Sequence, residues 1–156
     1  MAGLLIIAHA PLASALKAAA RHAFPEAAER VEALDVTPAL TCEEIEAQAR
    51  ILLERALSVP GRAEALILTD VFGATPSNVA QSLADGVRVK VVTGANVPML
   101  WRTLNYSHEP LEMLVTRAIA GATQGVMQIA TAKPQNQAHT PGGRPGDDFN
   151  AHQHQQ

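Results

Sequence analysis

The stretch that decides the fold is LLIIAHAPLASAL, residues 4–16. Leu4 to Ile7 form an unbroken aliphatic run, which is typical of a short strand buried on both faces. Pro11 suits the first turn of a helix, and apolar residues recur at helical spacing behind it until about His22. A buried strand that runs directly into a helix predicts a βαβ unit, with the ionisable side chain of His9 at the junction.

The same alternation of short apolar runs and helical patterns continues along the chain. Further strands are predicted over residues 31–36, 65–69 and 87–92, and a short final strand over 125–131. Helices are predicted over residues 42–57, 76–84, 98–104 and 110–122. Thr41 and Glu44 have capping-box spacing, and Thr75 before Pro76 predicts an N-cap. Strand and helix therefore alternate three times, which predicts an α/β fold with a doubly wound, mainly parallel sheet.

The composition limits the classes of function. The chain has 156 residues, 47% of them hydrophobic and only 3% aromatic, so we expect one domain with an aliphatic core. A formal net charge of −3 gives no overall attraction to nucleic acid or to an anionic membrane. Cys42 is the only cysteine, which excludes an internal disulfide and a cysteine-based zinc site. No apolar run approaches the ~20 residues of a membrane span and no basic leader precedes the first strand, so we expect a cytoplasmic protein.

The chain changes character near residue 132. Residues 1–132 carry the alternating pattern of one domain, whereas residues 133–156 are rich in Pro, Gly, Gln and Asn. Phe149 is the only large apolar residue of that second segment. Such a sequence cannot bury enough apolar surface to offset the entropy of ordering it, so we predict a disordered polar tail.

Two polar side chains stand where predicted strands end. His9 follows the first strand and Asp70 follows the third, and ligands of a doubly wound sheet gather outside the carboxyl ends of its strands. An aspartate that accepts from Nδ1–H fixes the tautomer and leaves Nε2 as a nucleophile. The pair therefore suits reversible phosphorylation. The alternative is structural, with a hydrogen-bonded histidine at a junction and an aspartate that caps a turn.

Three segments carry a resemblance to a known family. They read LLIIAHAPLA near the start, LILTDVFGATPSN in the middle and VVTGANVPML after the fourth predicted strand. In these segments the chain resembles the enzyme IIA domain of the mannose-type sugar phosphotransferase system, and the similarity extends over roughly residues 1–131. The resemblance implies the strand order 2-1-3-4, and a short antiparallel edge strand that is exchanged between the subunits of a homodimer.

The resemblance also assigns roles to individual residues. It implies that His9 carries a phosphoryl group on Nε2, that Asp70 orients the ring, and that Val71 and Thr75 bind the phosphoryl oxygens. The family usually has serine where this chain has Thr75, which keeps the hydroxyl. It usually has glycine where this chain has Ala74, which narrows the backbone conformations open to the turn.

As a family member, the chain would be a phosphotransferase component that needs no cofactor and no metal. The implied donor is the histidine phosphocarrier protein HPr, and the implied acceptor is an enzyme IIB domain. Contact with the membrane would be peripheral, through a permease complex. The alternative is a stand-alone regulatory protein whose phosphorylation state signals to a partner without sugar transport.

Two other classes of function fit the sequence less well. An aspartyl-phosphate hydrolase with Asp70 as nucleophile needs a second acidic residue nearby to hold Mg²⁺, and residues 71–73 supply none. A nucleotide-binding module needs a glycine-rich phosphate loop, and neither G-x-G-x-x-G nor G-x-x-x-x-G-K-[ST] follows a predicted strand.

Overall fold

The structure is a computed structural model, and it describes residues 1–131. The predicted tail, residues 133–156, lies outside the described residues. The strands are β1 (Gly3–His9), β2 (Val31–Val36), β3 (Ala65–Thr69) and β4 (Val89–Thr93). The helices are α1 (Leu12–Ala23), α2 (Pro25–Glu29), α3 (Cys42–Leu57), α4 (Thr75–Leu83), α5 (Val97–Asn105) and α6 (Leu111–Gln124). None of these helices is long and apolar enough to cross a bilayer.

The four strands form one parallel sheet in the order β2-β1-β3-β4. This confirms the predicted α/β class, the doubly wound arrangement and the strand order. The fully buried run of β1 and β3 explains why both strands read as continuous aliphatic segments. Strand order reverses between β1 and β3, so the carboxyl ends of these two strands flank the point where ligands bind in such sheets.

Helices cover both faces of the sheet. Leu4, Ile6 and Ala8 of β1 pack in a core that α1, α5 and α6 close from one side. Leu5 and Ile7 point the opposite way, into a second core closed by α3 and α4. Space between β1 and α3 is tight, since a Cβ atom on Gly3 would lie 2.5 Å from the carbonyl oxygen of Ala56. Small and aliphatic residues therefore build both layers.

Several local predictions are confirmed and others need correction. The Thr41 capping box is present, with Glu44 N–H donating to Thr41 Oγ1 at 3.2 Å and Thr41 N–H donating to Glu44 Oε2 at 2.8 Å. The predicted start of the fourth strand, residue 87, is two residues too early. The backbone N–H groups of Val87 and Arg88 donate to the Asp85 carboxylate and form a turn, so the strand begins at Val89. The short helix α2 was not predicted.

The predicted final strand is not observed within this single chain. Residues 126–131 have no regular secondary structure, and Val126, Met127 and Ile129 are exposed to 76%, 72% and 85%. An antiparallel edge strand exchanged between subunits needs a second copy to pair with. That part of the fold therefore stays a prediction.

Candidate functional site

The side chains of His9 and Asp70 meet at the carboxyl ends of β1 and β3. His9 Nδ1 lies 2.6 Å from Asp70 Oδ2, and the His9 backbone N–H donates to the same oxygen at 2.9 Å. Since a carboxylate only accepts, the ring carries its proton on Nδ1 and keeps its lone pair on Nε2. The His9 side chain is 53% exposed, whereas that of Asp70 is 12% exposed. The His9 ring is therefore accessible from solvent, and its Nδ1 side is held by the largely buried Asp70 carboxylate.

Asp70 is held in its charged form by the groups around it. Burial alone would raise the pKa of this carboxyl. The hydrogen bonds from the His9 amide, the His9 ring and the Val71 amide act in the opposite direction and together lower the pKa of Asp70 below its ordinary value. Asp70 is therefore a weak base that fixes the Nδ1–H tautomer without removing the proton.

The turn after β3 exposes an apolar surface beside this pair. Val71 is 50% exposed and Phe72 is 73% exposed. The Val71 N–H donates to Asp70 Oδ1 at 2.9 Å, so a phosphoryl oxygen at this amide would share it with the carboxylate. Gly73 has φ +82°, a left-handed conformation that other residues rarely adopt, and it reverses the chain toward α4. The sequence TDVFGATP thus builds a protruding turn that ends at a helix start.

Thr75 lies at that helix start, although not in the position that the sequence predicted. The N-cap of α4 is Ala74, with extended backbone angles, and Thr75 is the first helical residue. The predicted Thr75 N-cap is therefore wrong, because Thr75 is already helical and Ala74 is the last residue with extended backbone angles. The Thr75 hydroxyl forms no hydrogen bond with residues 1–131, and no side chain caps the first amides of α4.

His9 and Thr75 line one recess of about 310 Å³. The connection between β2 and α3 forms its other wall, with Val36, Thr37, Pro38, Leu40, Cys42 and Ile45. The helix start at Thr75 presents backbone N–H groups and the positive end of the helix dipole. His9 and the start of α4 therefore border the same recess.

Asp35 and Ser14 support the segment that carries His9, and no local sequence pattern predicts their contact. The Ser14 amide, in the first turn of α1, donates to Asp35 Oδ1 at 3.0 Å, and the Ser14 hydroxyl donates to Asp35 Oδ2 at 2.5 Å. Asp35 belongs to β2 and pairs in register with Ala8, directly before the histidine. It therefore caps α1 from the neighbouring strand and anchors the far side of the loop that carries His9.

The structure thus brings together the four residues that the sequence selected. His9 and Asp70 form the central pair, the Val71 amide donates to Asp70, and Thr75 lines the recess beside His9. Across residues 1–131, no three His, Cys, Asp or Glu side chains stand close enough to hold a metal ion together.

The sequence matches a protein family described as the PTS system fructose IIA component, over residues 3–120. Comparison with curated proteins gives no match.

The solved structures that share this fold include PTS IIA proteins. The PTS IIA protein associated with the fucose utilization operon of Streptococcus pneumoniae is 25% identical, with a TM-score of 0.70 over 82% of this chain and 96% of that one. The mannose/sorbose-specific IIA subunit of Enterococcus faecalis is 25% identical, with a TM-score of 0.68 over 85% and 98%. The EIIA component of Streptococcus agalactiae, 23% identical, has a TM-score of 0.69 over 82% and 97%.

We expect Asp35→Ala to lower the free energy of unfolding by about 1–2 kcal/mol, since it removes the cap of α1 and leaves the Ser14 amide without its acceptor. Hydrogen exchange should become faster at the amides of residues 9–14. Glu46→Ala is the matched control, because it removes an exposed carboxylate that pairs with Arg50 and should cost less than about 1 kcal/mol. Equal stability and equal exchange in both variants would contradict the role of Asp35.

Proposed function

Because the chain belongs to the family of PTS fructose IIA components, we propose that it is a phosphoryl carrier of a sugar phosphotransferase system, with His9 Nε2 as the accepting atom. The observation that carries this proposal is the 2.6 Å contact between His9 Nδ1 and Asp70 Oδ2, which leaves Nε2 facing solvent. Membership of the family confirms the resemblance drawn from the three sequence segments.

The proposed transfer is a displacement at phosphorus between two imidazole rings. The Nε2 lone pair of His9 forms the new N–P bond while the N–P bond of the donor breaks, and that electron pair returns to the donor ring. The His9 ring gains positive charge as the bond forms, and its Nδ1 proton stays in place. The Asp70 carboxylate, 2.6 Å from Nδ1, stabilises this charge.

The phosphoryl oxygens need donors on the other side of the recess. Thr75 supplies a hydroxyl and the start of α4 supplies backbone N–H groups, which favour an anion in this position. Val71 is the remaining candidate, with an amide that already donates to Asp70. We therefore assign the main contact with the phosphoryl oxygens to Thr75 and a shared contact to Val71.

The proposed donor is phospho-HPr, and the proposed acceptor is an enzyme IIB domain. A protein donor is favoured because the sequence lacks both glycine-rich nucleotide motifs. Val71 and Phe72 stand exposed directly after Asp70 and offer an apolar contact to an arriving protein. The same surface would serve donor and acceptor in turn, since both must bring their reacting group to Nε2.

We also propose that the protein is a homodimer. Strand β4 lies at the edge of the sheet, and the apolar segment 126–131 is exposed in the single chain. An edge strand and an exposed apolar segment are both costly in water unless they are paired. Pairing of this segment with the sheet of a second copy, antiparallel to its neighbour, would cover both.

Incubation with phospho-HPr should add one phosphate to the full chain, acid-labile and alkali-stable as phosphohistidine is, and mass spectrometry measures it. His9→Gln should remain folded and accept none, because glutamine satisfies a polar junction but lacks the nucleophile. His22→Gln is the matched control, since His22 is an exposed histidine of α1 and its loss should leave labelling intact. Labelling by ATP and Mg²⁺ alone, or full labelling of His9→Gln, would overturn the carrier proposal.

Asp70→Asn should slow phosphoryl transfer by roughly a hundredfold or more, because the amide is nearly isosteric but lacks the charge that stabilises the developing imidazolium. Rapid-quench measurement of the transfer rate tests this. Asp85→Asn is the matched control: the Asp85 carboxylate also accepts backbone amides, from Val89, Val87 and Arg88, but it lies at a turn before β4. This control should transfer at the wild-type rate.

The loss of stability in Asp70→Asn relative to wild type should depend on pH. The pKa of Asp70 is lowered in the folded state, so its carboxylate stabilises the fold above about pH 4, the pKa of an unfolded aspartate. This stabilisation is lost as the pH falls through the folded pKa. The difference in unfolding free energy between wild type and Asp70→Asn should therefore shrink on acidification, and a constant difference would contradict the assigned hydrogen bonds.

Ile129→Glu should weaken the dimer, because it places a charge on the segment proposed to pair with the second copy. Sedimentation equilibrium measures the change in association. Ile51→Glu is the matched control, since Ile51 is an isoleucine of α3 that is 58% exposed. A chain truncated after Gln124 should be monomeric and less stable, and a truncated chain as dimeric and stable as the full one would end the strand-exchange proposal.

A further inference from the structure

Two arginines share a small recess at the opposite end of the sheet from His9. Arg30 directly precedes β2 and Arg62 precedes β3, so both stand at the amino ends of the parallel strands. Strand β1 separates this recess from the carboxyl ends by roughly 20 Å. The remaining lining is mostly apolar and includes Ala2, Leu4, Ala27, Leu104 and Leu114.

Neither guanidinium has a carboxylate partner among residues 1–131. Arg30 Nη1 donates to Met1 Sδ at 3.9 Å and Arg62 Nη2 donates to the same sulfur at 3.6 Å. A thioether is only a weak acceptor. The Nε–H of Arg62 is buried and has no acceptor within the described part of the chain. Burial and the nearby charge of Arg30 both lower the pKa of Arg62.

This pair differs from most other arginines of the described chain. Five of the other six arginines in residues 1–131 form an ion pair with Asp or Glu. Two like charges around one recess repel, and a buried N–H without an acceptor costs free energy. An anion placed between the two guanidinium groups would remove both penalties at once.

We propose that this recess binds a phosphate dianion, either free or as the end group of a small phosphate ester. Both guanidinium groups already point their donors at one acceptor atom, the Met1 sulfur, whose place a phosphate oxygen would take. Arginine forks match phosphate oxygens with paired hydrogen bonds, and a dianion neutralises both cations where a carboxylate neutralises one. Ser107 lines the same recess and has a hydroxyl that can donate to a phosphate oxygen.

The size of the recess restricts what enters it. The free space amounts to about 30 Å³, room for roughly two water molecules. Movement of the Met1 side chain would enlarge it, since the sulfur lies between the two arginines. With the Met1 side chain displaced, a compact phosphate head group would enter between the two arginines, and the body of an ester would extend outward past Arg30, which is exposed. This site is separate from the phosphoryl site, and its failure would leave the carrier proposal untouched.

A titration of the full chain with inorganic phosphate, at constant ionic strength against chloride, tests the proposal. Two-dimensional amide NMR should show saturable shifts at residues 2–4, 30–31, 62 and 103–107, and the thermal midpoint should rise with phosphate. Arg62→Gln should weaken the binding at least about tenfold, as expected for the loss of charged hydrogen bonds. Arg50→Gln removes the same charge from a paired arginine of α3 and should keep the response.

Glycerol 3-phosphate forms the second arm of the titration. Tighter binding than inorganic phosphate would assign the site to an ester, and weaker binding would assign it to free phosphate; both support the proposal. If Arg62→Gln unfolds the chain, Arg30→Gln replaces it, because Arg30 is exposed and its loss should also weaken phosphate binding. Shifts confined to residues 9–14 and 70–77, or an unreduced response in both arginine variants, would overturn it.

Discussion

The register between β1 and β3 is the constraint on which the rest of the structure depends. Ile7 lies opposite Thr69 in this parallel pair, and just beyond these residues the backbone ladder ends. There the Asp70 carboxylate stands in for the next backbone carbonyl of β3. It accepts hydrogen bonds from both the backbone N–H and the ring N–H of His9. A slip of one residue would turn every side chain of the strand to the opposite face. Burial of the two aliphatic faces therefore also fixes the position of the reactive pair.

Features with a local cause were predictable from the sequence. A continuous aliphatic run marks a strand buried on both faces, as residues 65–69 show, and the predicted bounds of the strands over residues 31–36 and 65–69 agree with the structure. The approach of His9 and Asp70 was also predictable, because both follow strands whose carboxyl ends share one edge of the sheet. Their order in the sheet came from the family resemblance, since no local pattern states which strands are neighbours.

Features that depend on contacts between distant segments were not predictable. Asp35 and Ser14 are 21 residues apart and meet only because β2 lies beside β1. The residue preference for N-caps predicts Thr75, but the turn after β3 has Ala74 in that position. The two aspartates thus make different contacts: Asp70, just after β3, accepts from the ring of His9, and Asp35, within β2, accepts from Ser14 at the start of α1.

The low basicity of Asp70 matters more for release of the phosphoryl group than for its capture. In the proposed phosphorylated state the His9 ring is cationic as long as Nδ1 keeps its proton, and a cationic ring leaves as neutral imidazole when the N–P bond breaks. A more basic carboxylate would take that proton and make the N–P bond harder to break. The N–H donors of His9 and Val71 keep the pKa of Asp70 low, so the proton stays on the ring. In the proposed carrier, the same hydrogen bonds that assemble the site would therefore keep the phosphoryl group transferable.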